Sequence, residues 1–288
     1  MFLRRWASSA AGLAVCISLS CSAPERDGGI DRMEFADDEA LEDGVADSAL
    51  EPIPRIRVPL RPKSRPGGMT RPQLGDFALP APRCANQTER DGPSRSLGQV
   101  TGGSLHSPCR IAPSGPGYVS TNKNGFATDE TVALLQWASA QMAAQFPGSP
   151  PLVIGALSKV DGGYYPPHKS HQSGRDADIG YPRTERATPK QFLLTTSGNL
   201  DAERLWTVLE ALLATGKLGF VFMDYDLQAA LYQGLVDVGY TEAQLGPVFQ
   251  YPAGPAVPRG LVRHAAGHAD HFHVRFRCPD SDKPDCVE

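Results

Sequence analysis

The sequence predicts an α+β fold, with a small, mainly antiparallel central sheet flanked by helices. Three observations lead there. Helical and strand-like patterns are intermixed without a regular βαβ rhythm. A late segment, His271 to Arg277, alternates polar and apolar residues as a strand does. Six of the seven histidines fall in two short clusters, the second of them on that segment.

The 288-residue chain opens on Met1 to Cys21, where Arg4 and Arg5 precede a mostly apolar or small stretch from Trp6 to Leu19. This is an export pattern and is set apart from the fold. It is too short and too rich in Ser and Ala for a membrane span, which needs about 20 apolar residues. Its end, Ser18-Leu19-Ser20-Cys21, resembles a lipoprotein signal whose cysteine becomes lipidated, although Ser18 stands where such signals carry Leu. Cleavage at Ser20 without lipidation is the alternative. Residues 22–96 are dense in Pro, Gly, Asp, Glu and Arg and poor in aromatics, so they are predicted to be a disordered linker. One folded domain, residues 97–288, follows and is long enough for a single core.

In that domain Thr128 is a good N-cap, and Asp129 and Glu130 suit the positive end of a helix. Val132, Leu135, Met142 and Phe146 recur near helical spacing, predicting a helix from Asp129 to Phe146 that Pro147-Gly148 stops. Leu152 to Leu157 is a short apolar run predicted as a buried strand. Gly174 allows a tight turn after His171, and Asp176-Ala-Asp178-Ile alternates acid and apolar like a half-buried strand. Asp201 to Ala214 predicts a second helix, with Leu205, Val208, Leu209 and Leu212 on one side and Gly216 as its stop. A strand from Leu218 to Met223, a helix from Asp226 to Val236, a long Pro/Gly-rich connection from Gly246 to Gly260 and the His271 strand complete the pattern.

A net charge of −4, with no basic stripe interleaved with aromatics, excludes a nucleic-acid surface. Of the six cysteines, Cys16 and Cys21 belong to the export segment. An oxidising compartment favours disulfides within the pairs Cys84/Cys109 and Cys278/Cys286, while a Cys84–Cys278 pairing stays open because sequence does not fix connectivity. No Cys-x-x-Cys spacing occurs, which counts against a thiolate zinc site.

The chemistry lies in the two clusters. His168 and His171 sit in His-Lys-Ser-His-Gln-Ser-Gly-Arg-Asp-Ala-Asp; His264, His268, His271 and His273 sit in His-Ala-Ala-Gly-His-Ala-Asp-His-Phe-His. On a strand, His271, His273, Arg275 and Arg277 share one side, and Phe272, Val274 and Phe276 share the other, which packs into the core. Two imidazoles two residues apart reach one ion, or one ion and its bound water. His171 and Asp178 converge from the first cluster. Two histidines and a carboxylate suit Zn2+ and leave a fourth position for the water that hydrolysis needs. His106 stands alone and is a structural or surface histidine.

His171-Gln-Ser-Gly-Arg-Asp-Ala-Asp178 followed far downstream by His271-Phe-His273 resembles the zinc motif of lysostaphin-type, D-Ala-D-Ala and hedgehog-type metallopeptidases. More narrowly, Ser170-His-Gln-Ser-Gly174 and Gly267-His-Ala-Asp-His-Phe-His-Val-Arg-Phe-Arg-Cys-Pro279 are similar to the penicillin-insensitive murein endopeptidases, over about Leu97 to Cys286. The resemblance implies zinc on His171, Asp178 and His273, with His168 near or on the metal. It implies His271 as the catalytic histidine, His268 as an assistant that orients substrate, and a local disulfide between Cys278 and Cys286. It implies hydrolysis of D-alanyl to meso-diaminopimelate cross-links in peptidoglycan, hence a periplasmic protein, anchored to lipid if Cys21 is acylated. A D,D- or L,D-carboxypeptidase with the same ligands and a non-catalytic wall-binding module are the alternatives; the retained His271 argues against the second. Ser120-Thr-Asn-Lys123 has the Ser-x-x-Lys spacing of a serine enzyme but no accompanying Lys-Thr-Gly, and is a chance match.

Overall fold

The computed structural model describes residues 78–120, 122–185 and 190–288. The export segment, the Cys21 anchor and most of the linker lie outside the described residues. Helix α1 (Asp129–Gln145) starts where its cap predicts, with Thr128 Oγ1 accepting from the Thr131 N–H at 3.1 Å. Helix α2 (Ala202–Ala214) begins one residue later than the pattern suggested, because Asp201 is its cap and accepts from the Arg204 N–H. Helix α3 (Tyr225–Asp237) is capped by Asp224, whose Oδ1 accepts from the N–H groups of Asp226 and Leu227. A short helix, α4 (Glu242–Leu245), follows. None of these is long and apolar enough to cross a membrane.

The strands, in chain order, are β1 (Arg95–Leu97), β2 (Ser104–His106), β3 (Cys109–Arg110), β4 (Ser114–Gly115), β5 (Tyr118–Ser120), β6 (Phe126–Ala127), β7 (Leu152–Ile154), β8 (Asp176–Gly180), β9 (Leu218–Met223), β10 (Val262–His264) and β11 (His271–Phe276). Seven form the main sheet in the order β10-β9-β11-β8-β7-β5-β4; β1 pairs with β2 and β3 with β6 in two small sheets. The fold is α+β as expected, but the main sheet is larger than expected and mixed. Pairs β5/β7 and β9/β10 are parallel, while β11 is antiparallel to both β8 and β9.

Strand β11 organises the molecule. Phe272, Val274 and Phe276 face a core built with Ile154, Ala177, Ile179, Val221 and Met223 from neighbouring strands and with apolar residues of α1, α2 and α3. Burying side chains of this size stabilises by about 1.5–3 kcal/mol each. The opposite face carries His271, His273 and Arg275, in register with Gly180, Asp178 and Asp176 of β8. β8 was expected to be half-buried; it is buried throughout, because strands flank it on both sides and the histidine face is itself covered.

The described part of the segment read as linker begins at residue 78. Residues 78–96 are packed on the domain by the Cys84–Cys109 disulfide, the Arg90–Asp129 ion pair at 2.6 Å and reciprocal bonds between Ser94 and Asp129. The second disulfide, Cys278–Cys286, closes a loop after β11. Two anchors fasten this loop. Asp282 accepts from the Ser96 N–H at 2.8 Å, and the fully buried Arg175 donates to Val287 O at 2.7 Å and Phe276 O at 3.2 Å.

Candidate metal centre

His171 opens the site from an unusual backbone. Its φ of 63° lies in the left-handed region, which costs a non-glycine residue roughly 1–2 kcal/mol. Three contacts hold it there: its N–H donates to Asp176 Oδ2 at 2.9 Å, its carbonyl accepts from the Ser158 hydroxyl, and its Nδ1 lies 2.6 Å from Leu157 O. A carbonyl only accepts, so Nδ1 carries the proton and Nε2 presents its lone pair. The following Gly174, with φ 76°, lets the chain turn into β8; a Cβ there would meet Leu105 at 2.7 Å.

His273 is fixed in the opposite sense. Its Nε2 donates to Asp176 Oδ1 at 3.1 Å, leaving Nδ1 with the lone pair. Asp176 also accepts from Arg275 Nε at 2.9 Å. Burial alone would raise the Asp176 pKa, but the Arg275 charge and the hydrogen bond from His273 hold it well below the usual carboxylate range. It is an ionised support that touches three neighbours of the centre.

The two lone pairs and Asp178 Oδ1 converge. His171 Nε2 is 3.3 Å from His273 Nδ1 and 3.2 Å from Asp178 Oδ1, and His273 Nδ1 is 3.3 Å from the same oxygen. A tetrahedral zinc with bonds of 2.0–2.1 Å has ligand-to-ligand edges of about 3.3 Å. The near-equilateral triangle fits that ion. Asp178 Oδ1 is buried and accepts no well-formed hydrogen bond, because the nearby imidazole nitrogens turn lone pairs, not protons, toward it. A buried polar atom left this way is costly unless something else binds it, and a cation would meet that need.

The other predicted residues lie around the triangle. His168 stacks at a tilt on His171, with centroids 4.6 Å apart, and its Nδ1 is 3.7 Å from Asp178 Oδ2. Ligand atoms of His168, His171 and Asp178 lie within 4.8 Å of one another, so His168 belongs to the possible metal-binding group. His271 points Nε2 toward the centre, 3.9 Å from Asp178 Oδ1. His268 is buried, 4.8 Å from the His271 ring and 6.2 Å from the His273 ring; its backbone carbonyl accepts from Tyr181 OH. Two histidines stay outside this group: His106 is exposed on β2, and His264 is half-buried on β10, packed edge-on to Tyr225.

Sequence reasoning missed three contributors. Asp176 was read only as part of an alternating strand. Asp270, whose Oδ1 lies 2.6 Å from His271 Nδ1, and Phe192, stacked on His271 at 4.9 Å and 14°, were not singled out. Asp270 directly precedes the His-x-His strand, and that adjacency was the one available signal. Nothing near Phe192 in sequence announces it, because a separate loop delivers it.

Residues 96–210 match a protein family described as penicillin-insensitive murein endopeptidase. The match takes in His168, His171 and Asp178, spans less than half of the chain and stops before His271 and His273. No curated protein matches the chain.

Proposed function

We propose that the chain, which matches the penicillin-insensitive murein endopeptidase family over residues 96–210, is a member of that family and a zinc-dependent peptidase cutting D-alanyl to meso-diaminopimelate cross-links of peptidoglycan. The observation that carries this reading is the triangle of His171 Nε2, Asp178 Oδ1 and His273 Nδ1, with edges of 3.2–3.3 Å and an orphaned carboxylate oxygen at one corner. When bound there, zinc supplies Lewis acidity to the scissile carbonyl and activates water.

The chain's own residues do the rest. Asp176 and the Leu157 carbonyl hold the protons of His273 and His171 on the nitrogens that face away, so both donors stay presented without rearrangement. His271 Nε2, at the edge of the triangle, takes a proton from the attacking water or, once protonated, stabilises the tetrahedral oxyanion by donating to it. His268, next to His271, orients substrate, and His168 lines the other side. No serine nucleophile takes part, so β-lactams have no group to acylate.

Metal analysis joined to digestion of purified cross-linked peptidoglycan tests the proposal. One zinc per chain and release of monomeric muropeptides from dimers are expected. Release of terminal D-alanine alone would instead make it a carboxypeptidase, and wall binding with no cleavage would make it a non-catalytic module. We also propose export by residues 1–21 to the periplasm with a lipid anchor at Cys21, which requires more than one acyl chain to hold firmly. A soluble mature form lacking acyl groups by mass spectrometry rules out the anchor.

A further inference from the structure

We propose that Asp270 and Phe192 are positioning residues that hold the His271 imidazole in one tautomer and one orientation, with Nε2 turned to the three-donor centre. The proposal rests on the reading of His271 as the group that handles proton or oxyanion charge.

A histidine that serves a reaction from beside a metal faces two problems. Its ring nitrogens exchange a proton freely, and its ring rotates about χ2. Both are restrained here. The Asp270 carboxylate accepts, so its 2.6 Å contact places the proton on His271 Nδ1 and the lone pair on Nε2. That lone pair lies on the side of Asp178 Oδ1, 3.9 Å away. Rotation is blocked by the Phe192 ring, nearly parallel to the imidazole at 14° with centroids 4.9 Å apart.

Phe192 occupies space that two glycines leave open. A Cβ at Gly155 would run into its ring, and one at Gly180 would stand 3.1 Å from it. Gly180 is also the register partner of His271 across β8 and β11, so the seat of the aromatic ring lies directly beside the histidine it restrains. The loop carrying Phe192 is joined to the residue before Asp270, with the Thr195 N–H donating to Ala269 O at 2.8 Å. One loop and one strand start therefore close on His271 as a unit.

The test uses the zinc-loaded full chain and a cross-linked muropeptide dimer, comparing parent, Asp270→Ala, Phe192→Leu, His271→Ala and each of the first two combined with His271→Ala. Asp270→Ala is expected to lower kcat by about 10- to 100-fold, with KM and bound zinc unchanged. In the His271→Ala background, Asp270→Ala and Phe192→Leu are each expected to cost nothing further, because each acts through the imidazole. Nitrogen-15 NMR of the histidine rings supplies a readout apart from turnover. His271 should be protonated on Nδ1 in the parent and become a mixture of tautomers in Asp270→Ala; Asp270→Ser replaces that variant if it fails to fold. Parent-like kcat in Asp270→Ala, equal losses with and without His271, or an unchanged Nδ1–H tautomer would each overturn the role of Asp270. Phe192 is struck out if Phe192→Leu keeps the parent kcat or loses as much again without His271. Parent-like turnover in His271→Ala would sink the reading of His271 itself, and the NMR comparison would still decide whether Asp270 holds it.

Discussion

Replacing Asp176 by Ala should unfold the metal centre from behind without touching a proposed ligand. The carboxylate accepts from the His171 N–H at 2.9 Å, His273 Nε2 at 3.1 Å and Arg275 Nε at 2.9 Å. Arg275 retains some exposure and can turn to water, whereas His171 and His273 are buried and cannot. A hydrogen bond to a charged group contributes about 1.5–3 kcal/mol, so two buried ones lost imply about 3–6 kcal/mol. For a domain of this size each kcal/mol shifts Tm by about 2–4 °C, giving a fall of roughly 6–24 °C. Thermal and urea unfolding of zinc-free protein measure it. The sign of its pH dependence also follows. Asp176 has a folded pKa well below its unfolded value, so its stabilisation is complete above about pH 5 and fades as pH falls through the unfolded and then the folded pKa. The gap between parent and variant should therefore narrow in acid. A variant within about 2 °C of parent at pH 7, or a gap that widens in acid, would refute the assignment of Asp176 as an ionised, bonded support.

The remaining predictions concern the site and its fastening. His171→Ala and His273→Ala should each lose zinc, because either leaves only two corners of the triangle; a variant that binds it as well as parent is misassigned. His271→Ala should keep most zinc yet lose about 10²–10⁴-fold in turnover on a muropeptide dimer, while Asp178→Ala should lose metal and turnover together, with partial rescue by added zinc. Equal metal loss in both would mean ligand and catalytic histidine are interchanged. Removing the Cys278–Cys286 bond, which spans a sequence separation of 8, should lower stability by about 2–3 kcal/mol in urea titrations. An unchanged urea midpoint would mean that the bonds of Arg175 and Asp282 alone secure the loop.

The long periodic elements were legible because local chemistry encloses them. Thr128 and Asp201 announce α1 and α2, and the alternation of β11 announces which face carries histidines. Strands β1 to β6 were not legible: each has two or three residues, too few for any period. β10 escaped because it follows the Gly-rich connection and pairs in parallel with β9, a partner that local sequence does not reveal. Residues 78–96 carry linker-like composition, and only the partners Cys109 and Asp129, distant in sequence, hold them to the domain. The site follows the same division. The proposed donors belong to two compact motifs that stand out in sequence, and the structure adds the inter-strand register that pairs His273 with Asp178. Asp176, Asp270 and Phe192 act by supporting other side chains, and support is a matter of register and loop packing that spacing does not encode.

The last strand in sequence is an interior strand in space, and this sets when the candidate site can be completed. Among the described residues β11 lies between β8 and β9, and the two parts of the main sheet on either side meet through it. A nascent chain that has produced everything up to residue 270 holds His171 and Asp178 but neither His273 nor His271. Its two half-sheets still expose the edges that β11 will cover. Domains complete themselves as units once their chain is available. On the proposed function this order acts as a safety catch: a truncated product ending before β11 lacks His271 and His273, so hydrolysis would begin only once the final strand slots home.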